Sequence, residues 1–352
     1  MANSPHVSVI VPVHNTEKWL PRCLDSLTYQ TLQGLEIICI DDASTDDSWS
    51  ILQSYAQKDP RIRLLRNLVN EGAGASRNRG LLAARGEYLG FVDSDDFVFM
   101  SFYSQLFEKA AGADIVKGDI WGYDNEEEEV RPRPHYGLNA LILENKNWFC
   151  SGFTSAIFRR ELVQENGIRF PELIRTMEDP CFTIGCVLRA DTVTVVEDAV
   201  YIYAENPHSV TCTMGGAPVV SATERACALI GGMVREAGTS PAEMPIIAFM
   251  AQMLQGIALV PDAPNEDIRA LADTITKLYE STQAKQEFLY SCMQCLRKRI
   301  FAINDKNEFF LEHAEELTRC VKEEMEKMQS RHRRREQMLT AVARKKGTAT
   351  EA

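Results

Sequence analysis

The sequence predicts an α/β protein with a mainly parallel central sheet, followed by an α-helical C-terminal region. Three observations carry this expectation. Short β-branched runs alternate with helical stretches from Val7 to Lys117, the pattern of a parallel sheet with helices on both faces. Two of those runs end directly in acidic clusters, and such sheets bind ligands beyond the carboxyl ends of their strands. From residue 217 onward strand-like alternation is absent, and Ala, Leu, Met, Glu and Lys dominate.

The elements follow in order. Val7–Val13 is a β-branched strand ended by His14-Asn15. Over 16–30, Trp19, Leu20, Cys23, Leu24 and Leu27 recur at helical spacing, with Thr16 as the expected N-cap. Leu35–Ile40 is a second strand, closed by Asp41-Asp42-Ala43-Ser44, and Trp49, Leu52, Tyr55 and Ala56 mark the next helix. Ile62–Leu65 is a short strand, Glu71–Ala84 a helix rich in small residues, and Tyr88–Val92 a strand closed by Asp93-Ser94-Asp95-Asp96. A helix over 101–111 and a strand at Ile115–Lys117 follow. Residues 124–137 are charged and contain prolines, which predicts a surface loop. Pro241, Pro245, Pro261 and Pro264 divide the C-terminal part into several helices, and 308–345 reads as one long amphipathic helix.

Composition bounds the function. The 352 residues carry 38 Lys and Arg against 50 Asp and Glu, a net charge of −12. An acidic chain is ill suited to general nucleic-acid binding, which needs clustered cations. Residues 331–352 are locally basic, with Arg331, Arg333, Arg334, Arg335, Arg344, Lys345 and Lys346 against Glu336 and Glu351. No run approaches the ~20 apolar residues of a membrane span, and the start reads as a first strand, not a signal peptide. The ten cysteines are scattered, mostly in apolar segments (Cys39, Cys186, Cys227), as expected of reduced thiols in a cytoplasmic protein. Cys292 and Cys295 form a lone C-x-x-C whose spacing puts both on one helix face, a packing role in preference to zinc.

Four constellations could carry chemistry. The carboxylates of Asp41-Asp42 can accept from a base N–H or a ribose hydroxyl, although Asp46, or Ser44 and Thr45, could equally cap the next helix. Asp93, Asp95 and Asp96 repel one another unless a cation compensates, and hard oxygen ligands suit Mg²⁺ or Mn²⁺. In Asn70–Gly80 the glycines permit close backbone approach and Arg77 and Arg79 can pair with phosphate, without a Walker or dinucleotide loop. Glu178-Asp179 stands at a helix start, where a carboxylate serves as a cap or a base.

Together, in this order, these segments resemble the inverting glycosyltransferase family 2, with its GT-A (Rossmann-like) nucleotide-sugar-binding fold, over about residues 7–211. The segments are V-S-V-I-V-P-V-H-N, I-C-I-D-D-A-S-T-D-D-S, N-E-G-A-G-A-S-R-N-R-G, G-E-Y-L-G-F-V-D-S-D-D, F-R-R-E-L-V-Q-E-N-G-I-R-F-P-E, M-E-D-P-C-F and Y-I-Y-A-E-N-P-H-S-V-T. The resemblance implies that Pro12 and His14 flank the nucleotide base. Asp42, with Asp41 beside it, would read the base, commonly uracil. Arg77 would lie near the diphosphate, Asp93 toward the ribose or sugar, and Asp95 on a divalent metal, Mn²⁺ or Mg²⁺, with Asp96 as an alternative ligand. Asp179 would be the catalytic base. The implied reaction is one in-line displacement, with inversion, from a nucleotide sugar, in this family commonly a UDP-sugar, to a glycan or lipid-linked acceptor.

The sequence departs from the family in places. Ala204 stands where Y-x-Y-R has arginine, D-D-G-S reads D-D-A-S, and Ser151–Ile157 replaces W-N-K-L-Y. The expected organisation is a catalytic domain over 1–215 and a helical extension over 216–352, with a basic tail at 331–346. The tail could rest on the inner membrane face, and the helices could pair two copies. A silent nucleotide-sugar binder and a sugar nucleotidyltransferase are the competing readings. The acids at 41–42, 93–96 and 179 weigh against the first. The second usually has a Gly-rich basic loop after the first strand, and Val13–Glu17 is not one.

Overall fold

The structure is a computed structural model; it describes residues 4–125, 129–132, 152–206 and 217–237. The strands are β1 (Val7–Val13), β2 (Leu35–Asp41), β3 (Ile62–Arg66), β4 (Tyr88–Phe91), β5 (Phe97–Val98), β6 (Ile115–Asp124), β7 (Glu129–Pro132), β8 (Ala156–Arg159) and β9 (Val193–Ala204). The helices are α1 (Leu20–Thr28), α2 (Ser48–Lys58), α3 (Ala73–Ala83), α4 (Phe102–Glu108), α5 (Arg160–Glu165), α6 (Glu178–Val187) and α7 (Ala217–Ala237).

Among the described residues the nine strands form one sheet in the order β3-β2-β1-β4-β8-β6-β9-β5, with β7 paired to β6. The pairings put β1, β2, β3, β4, β6 and β9 in one direction, six of the nine, so the sheet is mixed but mainly parallel. β1 and β2 are buried along their whole length, as parallel strands covered on both faces must be. Ser8 and Glu36 are polar yet buried there; the Ser8 hydroxyl donates to Glu36 at 2.6 Å, and Arg63 and Arg85 neutralise the carboxylate.

One face packs Val7, Val9, Val11 and Val13 against Leu20, Cys23, Leu24 and Leu27 of α1. On the other face α3 lies close to the sheet because Gly80 has no side chain. A Cβ there would sit 2.4 Å from Ile10 Cγ2. Phe91, Phe153, Phe158, Phe170 and Phe182 form an aromatic cluster under α6. α7 packs on α6, where Cys181 Sγ lies 3.9 Å from the Ala226 carbonyl.

Three local expectations change. The charged stretch expected as loop contains β7, because Glu129–Pro132 continues a hairpin with Trp121–Asp124 of a longer β6. Thr16 does not cap α1 with its side chain. Its carbonyl accepts from Trp19 and Leu20, and its hydroxyl turns to Ser94 instead. The small residues of the third helix serve sheet packing at Gly80, where close approach to a ligand was the expectation. Cys23, Cys39, Cys181 and Cys186 are buried, and burial pushes the Cys39 thiol up to about 12. Cys292, Cys295, His208 (which could touch the donor or metal), the part of the expected helical extension after Ala237 and the tail at 331–346 lie outside the described residues. Among the described residues no helix is long and apolar enough to cross a membrane.

Candidate active site

The site is assembled at the carboxyl ends of β1, β2 and β4 and at the start of α6. Pro12 is buried in β1, paired with Ile40. His14 is exposed just beyond β1, and its Nδ1 donates to the Asp42 carbonyl at 2.7 Å. Asn15 Nδ2 lies 3.3 Å from His14 Nε2. Asn15 (φ 50°) and Ala43 (φ 56°) both adopt left-handed backbone in the loops after β1 and β2. Each costs roughly 1–2 kcal/mol in a residue with a Cβ. Asn15 recovers some of that by accepting from Thr45 N; Ala43 has no polar side chain to do so.

The paired acids after β2 differ in role. Asp41 is fully buried, pairs with Arg66 at 3.0 Å and accepts from Ser44 N. It therefore holds the turn and neighbouring strand. Asp42 accepts from Asn67 Nδ2 (2.6 Å), Glu71 N (2.9 Å) and Gly72 N (2.7 Å). Three of roughly four acceptor positions of a carboxylate are used, so Asp42 shapes the 67–72 loop. Asn67, which the sequence reading missed, also donates to Ser76 and accepts from Arg79.

Past β4 the three acids separate. Asp93 is a third exposed and accepts from Arg77 Nη2 at 2.7 Å. Asp95 accepts from Asn206 Nδ2 at 2.8 Å, and its carbonyl accepts from Arg22. Burial pushes the Asp95 carboxyl up; the Asn206 bond opposes this and the like charge of Asp93 adds to it. Asp96, expected as an alternative metal ligand, turns inward. The Tyr201 hydroxyl donates to it at 2.6 Å and Ala204 N at 2.8 Å, and burial raises it well above the carboxylate range. The structure thus anchors Asp96 to β9, and Asp95 alone of that pair stays at the site. Ala204, in the position where the family often has arginine, contributes its backbone N–H to this anchor.

Arg77 is expected near a diphosphate, but here it is enclosed. Its side chain is 6% exposed, donates from Nη1 to Glu178 and from Nη2 to Asp93, both at 2.7 Å, and lies against Phe153 and Phe170. It bridges Asp93, just past β4, to the helix that carries Asp179. Glu178 and Asp179 are the first two residues of α6, and neither is its N-cap. Asp179 keeps some exposed surface, yet its carboxyl is packed deeply enough to be raised to about 7. Burial is the main cause; the Glu178 charge adds and Arg77 opposes.

Residues 8–167 match the model of Glycosyl transferase family 2. That region belongs to glycosyltransferase family 2. The chain is 35% identical over 219 residues to the uncharacterized glycosyltransferase EpsJ of Bacillus subtilis, covering 59% of this chain and 63% of that one. It is 35% identical over 204 residues to the poly(ribitol-phosphate) beta-glucosyltransferase of Bacillus spizizenii, covering 56% of this chain and 32% of the relative. The chain thus spans less than two thirds of the length of these relatives. The crystal structure of S. aureus TarS 1-349 in complex with UDP superposes with a TM-score of 0.64 at 24% identity, over 84% of this chain and 87% of the other. The described residues have the GT-A fold, as the motifs lead one to expect.

Proposed function

We propose that this family 2 chain transfers a sugar from a UDP-sugar to an acceptor hydroxyl with inversion, in the assembly of a surface polysaccharide. One observation carries the reading. Arg77 joins Asp93, at the end of β4, to the first turn of α6, where Asp179 holds a carboxyl raised to about 7. A general base works best with a pKa near the operating pH. With its carboxyl raised to about 7, Asp179 suits taking a proton from an attacking hydroxyl near neutral pH.

The chain's residues divide the work. The loops after β1 and β2, shaped by His14, Asn15 and Asp42, receive the nucleotide. Asp93, at the exposed end of the Arg77 bridge, faces the donor. Asp179 orients the acceptor hydroxyl, accepts its proton and leaves the anomeric carbon attacked from one side only. The donor set suits a hard divalent cation: Asp95 is a carboxylate held at a cost by burial beside Asp93, and a cation relieves that repulsion. Asp95 would hold Mn²⁺ or Mg²⁺, which neutralises charge on a leaving diphosphate. Among the described residues no three ligating side chains gather into a complete protein site. The likeness to a poly(ribitol-phosphate) glucosyltransferase supports a hydroxyl-rich polymer, free or lipid-linked, as acceptor.

The test is a panel of UDP-glucose, UDP-N-acetylglucosamine and GDP-mannose, with and without Mn²⁺, reading the nucleotide product. Release of nucleoside diphosphate supports transfer. Pyrophosphate would mean nucleotidyl transfer, and binding without any turnover would mean a silent binder.

A further inference from the structure

We propose that Glu178 is a positioning residue: through Arg77 it ties the first turn of α6 to Asp93 and so sets how Asp179 presents its carboxylate to the acceptor. The inference rests on the reading of Asp179 as the base. It goes beyond that reading by giving its neighbour, and the buried arginine, a defined role.

The geometry is closed on every side. Both terminal nitrogens of Arg77 are engaged at 2.7 Å, one by Glu178 and one by Asp93. Its guanidinium carbon lies 4.8 Å from the Phe153 ring centre and 5.3 Å from that of Phe170. Its Nε is buried without a hydrogen-bond partner among the described residues. Arg77 cannot swing toward a diphosphate without leaving Glu178 buried and unpaired, which is costly. It therefore acts as a fixed strut, and the end that meets solvent is Asp93.

The backbone points the same way. Met177, immediately before Glu178, is left-handed at φ 70°. A non-glycine residue holds that conformation only where its surroundings over-determine it. Glu178 supplies the restraint: it is buried, and its side chain is pinned one residue after the strained turn. Because Glu178 and Asp179 are consecutive in one helical turn, fixing the first fixes the direction of the second. The charged groups facing Asp179 are Glu178, Arg77 and Asp93. Neutralising Glu178 leaves Arg77 less compensated, so Asp179 should ionise at lower pH.

The experiment is the pH dependence of UDP release from the UDP-sugar that the panel shows to be turned over. It compares parent, Glu178→Gln, Glu178→Asp and Asp179→Asn, each checked by thermal melting. Glu178→Gln should move the acidic limb down by about half a unit or more and lower kcat about 10–100-fold, with little change in KM for the donor. Glu178→Asp retains the charge but withdraws it by one methylene. Its limb should stay near the parental position while kcat falls. If Glu178→Gln does not fold, Glu178→Asp carries the test. Parental kcat and parental limb in either folded variant overturn the proposal. Full turnover in Asp179→Asn instead overturns the base assignment itself, so the two failures are distinguishable.

Discussion

Asp179→Asn separates chemistry from packing, because the structure predicts opposite changes in activity and stability. The Asp179 carboxyl is raised from its ordinary 3.8 to about 7, chiefly by burial and then by the charge of Glu178. Between those values the unfolded chain has released its proton and the folded chain has not. Stability from this group is therefore fully present below about pH 4 and declines as pH rises through 7. About three units at 1.36 kcal/mol each set an upper bound of about 4 kcal/mol above pH 7. Asparagine is never charged, so it escapes this loss, less the cost of burying an amide. The variant should melt above the parent at pH 8, and the difference should shrink toward zero near pH 4. Its turnover should fall by about 10²–10⁴-fold. Thermal melts across pH and UDP release from the UDP-sugar proposed as donor check both halves. Isothermal titration with UDP should show little change in affinity. Near-parental turnover would show that Asp179 is no base, and a melting difference independent of pH would show that its carboxyl is not held protonated.

The other expectations are more local. Asp95→Asn should leave the metal-free melt unchanged or slightly higher, since burial already disfavours that charge, and should abolish the rise in melting temperature caused by Mn²⁺ with UDP. A parental Mn²⁺ response would remove Asp95 from the metal. Ala43→Gly relieves the left-handed strain at φ 56°. After the entropy cost of glycine it should gain about 0.5 kcal/mol, read by chemical denaturation; a loss of 1 kcal/mol or more would contradict it. Lys117 is 4% exposed, and among the described residues its ammonium has no hydrogen-bond partner. Lys117→Met should therefore stabilise by about 1–4 kcal/mol, and a clear destabilisation would reveal a counter-charge.

Much of this was legible in the sequence because it depends on local order. The alternation of β-branched runs and helical spacing needs only hydrophobic periodicity, and β1 to β4 stand where that periodicity puts them. The acidic clusters after β2 and β4 were visible because in parallel sheets strand ends are where ligands bind. Even the neighbours Glu178 and Asp179 stood out as acids at a helix start. The sequence by itself could not say which acid of each cluster faces the site, because that depends on partners distant in the chain. Asp96 is withdrawn by Tyr201 and Ala204, more than a hundred residues away, and Asp41 by Arg66. Glycine has a similar ambiguity: Gly80 reads as a ligand-approach residue until Ile10 is found beneath it. Arg77 shows the same limit. A phosphate-binding arginine and a buried strut have the same letter in the sequence, and only the tertiary structure puts two carboxylates within 2.7 Å of it. Periodicity is set by nearest neighbours along the chain, whereas charge pairing and burial are set by whatever the fold brings together.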